Sequence, residues 1–336
     1  MTRRERVYKA FRHEEADIVP YHLDFSMRQH ERMAEHLHDN RFEEKTGAHL
    51  HYFQYIGWPE SIGNELYKDS FGVTWDRSGV DKDIGVVRQP VIEDIDDHTY
   101  RIPELDELRL RRDLDILMTS RGDRFTMAAI GFSLFERFWS LCGMENALAA
   151  MITSPRRVEA LMEDISAHNL CILDIFLEYD IDGVLFGDDW GQQKGLIMGA
   201  SYWRKWIRPY LKRMYDKVKA KGKIVLQHSC GDISEILPDL IDLGLDCYQT
   251  FQPEIYDCAA CKAAYGHHLS FWGGISTQRL LPFASPREVA EETSRMLEAM
   301  GKGGGYIAAP THVIPGDVPP ENIVAMLEVF QHQKVN

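Results

Sequence analysis

Lys223-Ile224-Val225-Leu226-Gln227-His228-Ser229-Cys230-Gly231 is the stretch on which the reading of the chain turns. Its apolar run is short and β-branched, the pattern of a strand buried on both faces. The run ends in His-x-Cys-Gly. Residues two apart on an extended chain point the same way, so an imidazole and a thiol share one face at the strand's end. Two soft ligands, followed by a glycine that lets the chain turn, have the form of half a zinc site. The same residues also fit a plain structural role, Cys230 as a small buried apolar residue and His228 as a hydrogen-bonded core histidine. The position of the strand in the fold bears on that choice.

Similar runs occur near 19–24, 49–55, 126–132, 183–188, 246–250, 269–273 and 305–309, which with 223–228 makes eight expected strands. Helical patterns lie between them, clearest at 155–178, 200–221, 232–243, 285–300 and 319–333. Ser285-Pro286 reads as an N-cap followed by proline at the first helical position, and Asp317 with Pro319 and Pro320 similarly precedes the last helix. Alternating strands and helices imply a parallel sheet. Eight such units predict an α/β fold, a closed (β/α)8 TIM barrel forming a single domain over 1–336. A doubly wound open sheet is the competing architecture, but no Gly-x-Gly-x-x-Gly follows an early strand. The stretch of about 57–125, after the second strand, is longer than one crossover helix. It holds strand-like pieces at 71–76 and 84–89 and a charged helix at 105–119, and is expected to be an insertion.

Composition narrows the partners. The chain has 336 residues, 44% of them apolar, and a net charge of -14, with a pI near 5.5. That balance argues against nucleic acid or an anionic membrane as partner. No run of eighteen apolar residues occurs, so no spanning helix is expected. Met1-Thr-Arg-Arg-Glu-Arg6 lacks an apolar stretch behind it and does not read as a secretory signal. The six cysteines are unevenly spaced and make no disulfide framework, so the expected home is the cytoplasm. A homodimer is compatible with the sequence.

In a barrel of this kind, the C-terminal strand ends build the active site. Asp24 ends the first expected strand, Asp188 and Asp189 the fourth, and His228 with Cys230 the fifth. Gln252 lies just past the sixth, Trp272 ends the seventh and His312 follows the eighth. Zinc (Zn2+) would explain His228, Cys230 and His312 together, because a catalytic site needs three such ligands and an open position. Such an ion would hold a substrate thiol or hydroxyl as its anion near neutral pH. Asp188 or Asp189 would orient a ligand. Three other motifs read as structure. Gly303-Gly304-Gly305 fits a helix-to-strand turn at the far end of the barrel, and Cys258 and Cys261 fit half-buried positions on the helix after strand six. His49-x-His51 falls within or before its strand rather than at its end.

Several stretches, in order, carry a resemblance: Gly131-Phe-Ser-Leu-Phe-Glu-Arg, Phe186-Gly-Asp-Asp-Trp-Gly, Arg208-Pro-Tyr-Leu-Lys, His228-Ser-Cys-Gly-Asp, Phe271-Trp-Gly-Gly-Ile-Ser-Thr-Gln, Ala309-Pro-Thr-His and Gly316-Asp-Val-Pro-Pro-Glu-Asn. With these the chain resembles the uroporphyrinogen decarboxylase superfamily over most of its length, most strongly from about 130 to 330. The resemblance implies a (β/α)8 barrel and one of two activities. The decarboxylase branch removes acetate carboxyls from a tetrapyrrole without a cofactor and carries an arginine-rich N-terminal motif. Here Arg28 and Gln29 match part of that motif, in Asp24-Phe-Ser-Met-Arg-Gln-His-Glu-Arg-Met, and the Ala-Gly-Arg that should follow is absent. The methyltransferase branch moves methyl groups to or from a corrinoid (cobalamin) on a partner protein, through a His-x-Cys…Cys zinc site. His228 and Cys230 match its first half, and His312 stands where the final cysteine would be. A histidine there also resembles a substrate-contacting residue of the decarboxylases.

The expectation is therefore a zinc-dependent methyltransferase acting between a small-molecule methyl donor or acceptor and a corrinoid protein. Its metal ligands would be His228, Cys230 and His312, its catalytic acids Asp188, Asp189 and Asp24, and its substrate contacts Arg28, Gln252 and Trp272. The alternatives are a cofactor-free decarboxylase of tetrapyrrole biosynthesis, using Arg28, Asp24 and His312, and a barrel that binds without catalysing.

Overall fold

Of the eight expected strands, seven form in the computed structural model of the protein, which describes residues 1–79, 83–97 and 99–333. In chain order the strands are β1 (Leu50–Tyr55), β2 (Glu60–Gly63), β3 (Leu66–Lys68), β4 (Thr74–Asp76), β5 (Val86–Gln89), β6 (Phe125–Ile130), β7 (Gly183–Gly187), β8 (Gly191–Gln192), β9 (Gly195–Leu196), β10 (Ile224–His228), β11 (Cys247–Phe251), β12 (Ser270–Ile275) and β13 (Tyr306–Pro310). One sheet of seven runs β1-β6-β7-β10-β11-β12-β13. The registers of β6 with β7, β7 with β10, β11 with β12 and β12 with β13 are parallel. The fold is mixed α/β, with a parallel sheet of the TIM-barrel kind. Every residue of β6, β7, β11, β12 and β13 is buried, which is why these strands read as mostly apolar runs.

The contacts divide the chain into two compact units, one of residues 1–51, 121–126 and 245–336, the other of 52–120 and 127–244. In the first, the stretch expected as strand 19–24 is not a continuous strand. It meets β13 through one isolated bridge, Tyr21 with Ala308, and a second bridge, Phe25 with Ile314, lies past the end of both. Pro20 offers no N–H to a ladder, and the chain from Ala308 to Ile314 is two residues longer than the chain it faces. The ladder breaks there, and the extra length carries Thr311 and His312. The helix Pro286–Gly301 opens with a capping box between Ser285 and Glu288. The three glycines after it adopt left-handed φ of +74, +71 and +67° and deliver the chain into β13, the turn that the sequence suggests. Cys258 and Cys261 lie half-buried on the helix Cys258–Tyr265. The Gly316–Asn322 motif is a brace: Arg32 donates to the carbonyls of Gly316 and Val318, and the Asn322 amide to those of Leu281 and Ala284.

In the second unit, the helix expected at 200–221 is two, Ala200–Trp206 and Arg208–Lys219, separated at Ile207 because Pro209 lacks the N–H that would continue the ladder. The expected helix 232–243 shrinks to a 3-10 turn, Ser234–Ile236, and a short helix, Leu237–Asp242, with Pro238 in its first turn. The pieces expected at 71–76 and 84–89 contain β4 and β5, which join β2 and β3 in an antiparallel sheet. Asp69 is the hub beneath that sheet. Its carboxylate accepts the N–H groups of Phe71 and Val73 and the indole N–H of Trp75. The helix Glu107–Ser120 matches the charged helix of the sequence. No helix among the described residues is long and apolar enough to cross a membrane.

Candidate metal centre

Parallel pairing aligns the ends of β7 and β10. Gly187 faces His228, and the Asp188 N–H donates to the His228 carbonyl at 3.1 Å. Asp188 and Asp189 therefore leave β7 beside the His-x-Cys that leaves β10. His228 Nε2 lies 3.7 Å from Cys230 Sγ, the shared face that their spacing implies. Asp189 Oδ1 accepts the Cys230 N–H at 2.8 Å and lies 3.4 Å from His228 Nε2. Gly231 does more than permit a turn. Its φ is +77°, and a Cβ there would sit 2.3 Å from the carbonyl carbon of Gly191 on β8. The Asp232 N–H donates to the Gln192 carbonyl at 2.8 Å, so β8 holds the Cys230 turn backbone to backbone.

His228 and Cys230 bring an imidazole and a thiol together at the end of β10 in one unit, and His312 follows β13 in the other. An imidazole and a thiol on one face suit zinc. Proton affinity in this group is high. Burial works against a charged His228, but its contacts with Asp189 and Cys230 outweigh that and hold it well above the usual imidazole range. Burial, with the charge of Asp189, pushes the Cys230 thiol up while His228 pulls it back. A metal ion held by His228 and Cys230 would take the place of their protons.

The two adjacent aspartates do different work. Asp188 is fully buried and accepts the N–H groups of Leu134, Phe135 and Glu136 at 3.4, 2.9 and 2.7 Å and the Trp190 indole N–H at 2.6 Å. It caps the helix Phe135–Cys142. Burial raises its pKa to about 6 against the pull of these donors, so it is ionised at neutral pH. Of the pair, Asp189 is the one beside His228 and Cys230.

Two residues near predicted ones were not picked out from the sequence. Glu136, half-buried, has its pKa raised well above the carboxylate range by burial first, then by the charges of Asp189 and Asp188. It lies within a quoted motif, but nothing in one sequence shows which way a residue at a helix start faces. His22 pairs with Asp24, Nε2 to Oδ1 at 3.0 Å, and packs edge-on against Trp272 at 5.7 Å. Its signal was present: it stands two residues before Asp24 on an extended chain.

Trp272 needs a correction, since it lies inside β12 rather than at its end. Gly273 and Gly274, at φ +138 and +94°, continue the strand to Ile275. Gln252 is buried directly after β11, and its carbonyl accepts the N–H groups of Ile255 and Tyr256. Arg28 is exposed on the helix Met27–Leu37, its stem against Gly316. Beside His312, the Thr311 and Thr277 hydroxyls hydrogen-bond at 2.9 Å.

Comparison with known proteins places this geometry in a family. The family model described as uroporphyrinogen decarboxylase (URO-D) matches residues 71–333. A methylated-thiol–coenzyme M methyltransferase from Methanosarcina mazei is 25% identical over 245 residues, 71% of this chain and 60% of that protein. Uroporphyrinogen decarboxylases from Citrobacter koseri and Coxiella burnetii are 22% and 23% identical over 53% and 76% of this chain, and 49% and 73% of their own lengths. The chain thus spans about half to three quarters of these curated relatives. A solved methyltransferase from Methanosarcina mazei superposes with a TM-score of 0.75 at 16% identity, covering 98% of both chains, which shows a shared fold. This chain belongs to the uroporphyrinogen decarboxylase (URO-D) family.

Proposed function

We propose that this protein is a zinc-dependent methyltransferase that moves a methyl group between a heteroatom of a small molecule and a corrinoid carried on a partner protein. The observation that carries the reading is the His228–Cys230 pair at the end of β10, Nε2 to Sγ at 3.7 Å, to which we add His312 as the third ligand. The methyltransferase relative supports it as well. Zinc, when bound, would supply the positive charge that keeps a thiol or hydroxyl as its anion near neutral pH. Asp189 orients the centre by holding the Cys230 backbone and facing His228. Asp188 holds the helix start that carries Glu136. We assign to Asp24, steadied by His22, the proton that leaves the acceptor, and to Arg28, Gln252 and Trp272 the contacts with substrate. The same reading takes the chain as one closed (β/α)8 domain with 57–125 as its insertion, working in the cytoplasm, with a homodimer compatible with it.

The second reading is a cofactor-free decarboxylase. It draws on the decarboxylase relatives and on Arg28, an exposed cation on the helix that follows Asp24. Metal content decides between them. Protein purified without chelator should hold about one zinc per chain, and Cys230→Ala should lose it. A metal-free wild type, with Cys230→Ala fully active in tetrapyrrole decarboxylation, would overturn the methyltransferase reading. Demethylation of methylcob(III)alamin in the presence of thiols gives the direct assay of activity.

A further inference from the structure

His228 and Cys230 face one way from the end of β10, and Gln227 and Ser229 alternate with them along the chain. Both alternating residues are polar, and both are fully buried. Their hydrogen bonds run to the backbone of the candidate ligands. The Gln227 side-chain oxygen accepts the Tyr215 phenol O–H at 2.7 Å, and its amide Nε2 donates to the His228 carbonyl at 2.8 Å. Tyr215 is itself fully buried on the helix Arg208–Lys219, its ring centre 5.4 Å from that of Phe186 on β7. The Ser229 hydroxyl accepts the Trp190 N–H at 3.0 Å and donates to the Cys230 carbonyl at 3.3 Å. Each of the two polar side chains thus holds the carbonyl of the residue after it, and in each case that residue supplies a candidate metal-binding group. All of these residues lie in one compact unit of the fold.

Burial by itself does not call for these side chains. Apolar side chains of similar size at 215 and 227 would fill the same space with no polar atom to satisfy. Exchanging both partners of a buried hydrogen bond in that way is nearly neutral for stability. What the Gln227 amide adds is a second donor on the His228 carbonyl, beside the Asp188 N–H at 3.1 Å. A carbonyl held by two donors has its peptide plane fixed, and that plane sets the direction in which the imidazole leaves the backbone. The Ser229 hydroxyl does the same for the peptide after Cys230, with the Trp190 backbone as its anchor.

We propose that Gln227 and Ser229 are positioning residues that fix the carbonyls of His228 and Cys230, and with them the approach of the imidazole and the thiol to a metal ion. This rests on the metal reading given above. The test uses the full chain and three measurements. They are zinc affinity by competition with a chromophoric chelator, the rate at which iodoacetamide alkylates Cys230 in metal-free protein, located by peptide mapping, and the midpoint of urea unfolding. Tyr215→Phe alone takes the phenol donor from the Gln227 oxygen, so it should lower the midpoint while zinc affinity stays at the wild-type value. Adding Gln227→Met should bring the midpoint back up. It should nevertheless weaken zinc binding by about 10- to 100-fold, the usual effect of losing a group that orders a ligand, and change the alkylation rate. Ser229→Ala should weaken zinc binding over the same range and change the alkylation rate as well. Wild-type zinc affinity and alkylation in either the double variant or Ser229→Ala would overturn the proposal. So would zinc affinity that rises and falls with the urea midpoint across the series, the pattern of a pair that only stabilises the fold. If wild type and Cys230→Ala alike bind no zinc, the metal reading fails by itself. The alkylation series then decides: altered rates in both variants support positioning, and an unaltered rate in either refutes it.

Discussion

Arg137→Met would strand a buried carboxylate. Arg137 Nη1 lies 2.9 Å from Asp69 Oδ2, and the two side chains are 3% and 1% exposed. Asp69 also accepts three N–H groups, from Phe71, Val73 and Trp75, and these would remain in the variant. The second arm of Arg137 donates to the Ile56 carbonyl at 3.0 Å, and the guanidinium lies 3.8 Å from the centre of the Phe71 ring. Methionine restores much of the volume but none of the charge. Removing one partner of a buried pair costs about 3–5 kcal/mol, because the other charge stays in a poor solvent. Against a net stability of about 5–15 kcal/mol, that is a large share. Urea unfolding followed by far-UV circular dichroism at pH 7, extrapolated to water, gives the loss directly. Asp69→Asn in the Arg137→Met background should recover part of it, while Asp69→Asn alone should destabilise. A loss under about 1 kcal/mol for Arg137→Met, typical of an exposed pair, would refute the reasoning. So would an Asp69→Asn effect that is the same in both backgrounds.

Two further outcomes follow from the same structure. Gly231→Ala meets both a left-handed φ and the backbone of Gly191 and Gln192, so it should displace the Cys230 turn and lower zinc uptake. Retention of full zinc binding by this variant would show that β8 does not hold that turn in place. The second outcome concerns acid. Burial, followed by the nearby charges of Arg6 and Arg3, lowers His49 from 6.5 to about 3. Burial, followed by the charge of Arg137, lowers His168 to about 4. Both imidazoles are neutral in the folded state, whereas the unfolded chain takes up protons near pH 6.5. Their stabilisation is therefore complete above pH 6.5 and is lost as the pH falls toward 3, at about 1.4 kcal/mol per pH unit for each group while both titrate only in the unfolded chain. His49→Phe should flatten that slope in urea titrations at pH 6.5 and pH 5, and an unchanged slope would remove His49 from the account.

The parts of the fold legible in the sequence are those whose pattern reports burial. β6, β7 and β11 to β13 are covered on both faces, so each is an apolar run that little else explains. β2 has all four residues exposed, and its hairpin with β3 turns through Asn64 and Glu65, both left-handed at φ +53 and +58°. No apolar alternation marks such a strand, and Glu is not a usual turn residue, so the hairpin stays hidden. The run 19–24 misleads in the opposite sense. It has the composition of a strand, but a proline and a mismatch in chain length reduce its pairing to one isolated bridge with β13 and another just beyond it. Composition records burial; ladder continuity here depends on a neighbour hundreds of residues away.

The candidate site divides along the same line. His228 and Cys230 were readable because period two is a property of the strand itself. Asp188 and Asp189 were not separable, since either could face β10. Tertiary structure separates them: successive residues leaving a strand face different ways, so one carboxylate turns into the helix start at Leu134–Glu136 and the other toward His228. This division has a chemical consequence. Asp188 spends its oxygens on four N–H donors and stays ionised at neutral pH, which opposes ionisation of Glu136 beside it. The capping aspartate is thereby committed to the helix start and the Trp190 indole, and Asp189 is the carboxylate left to hold the Cys230 N–H and face His228.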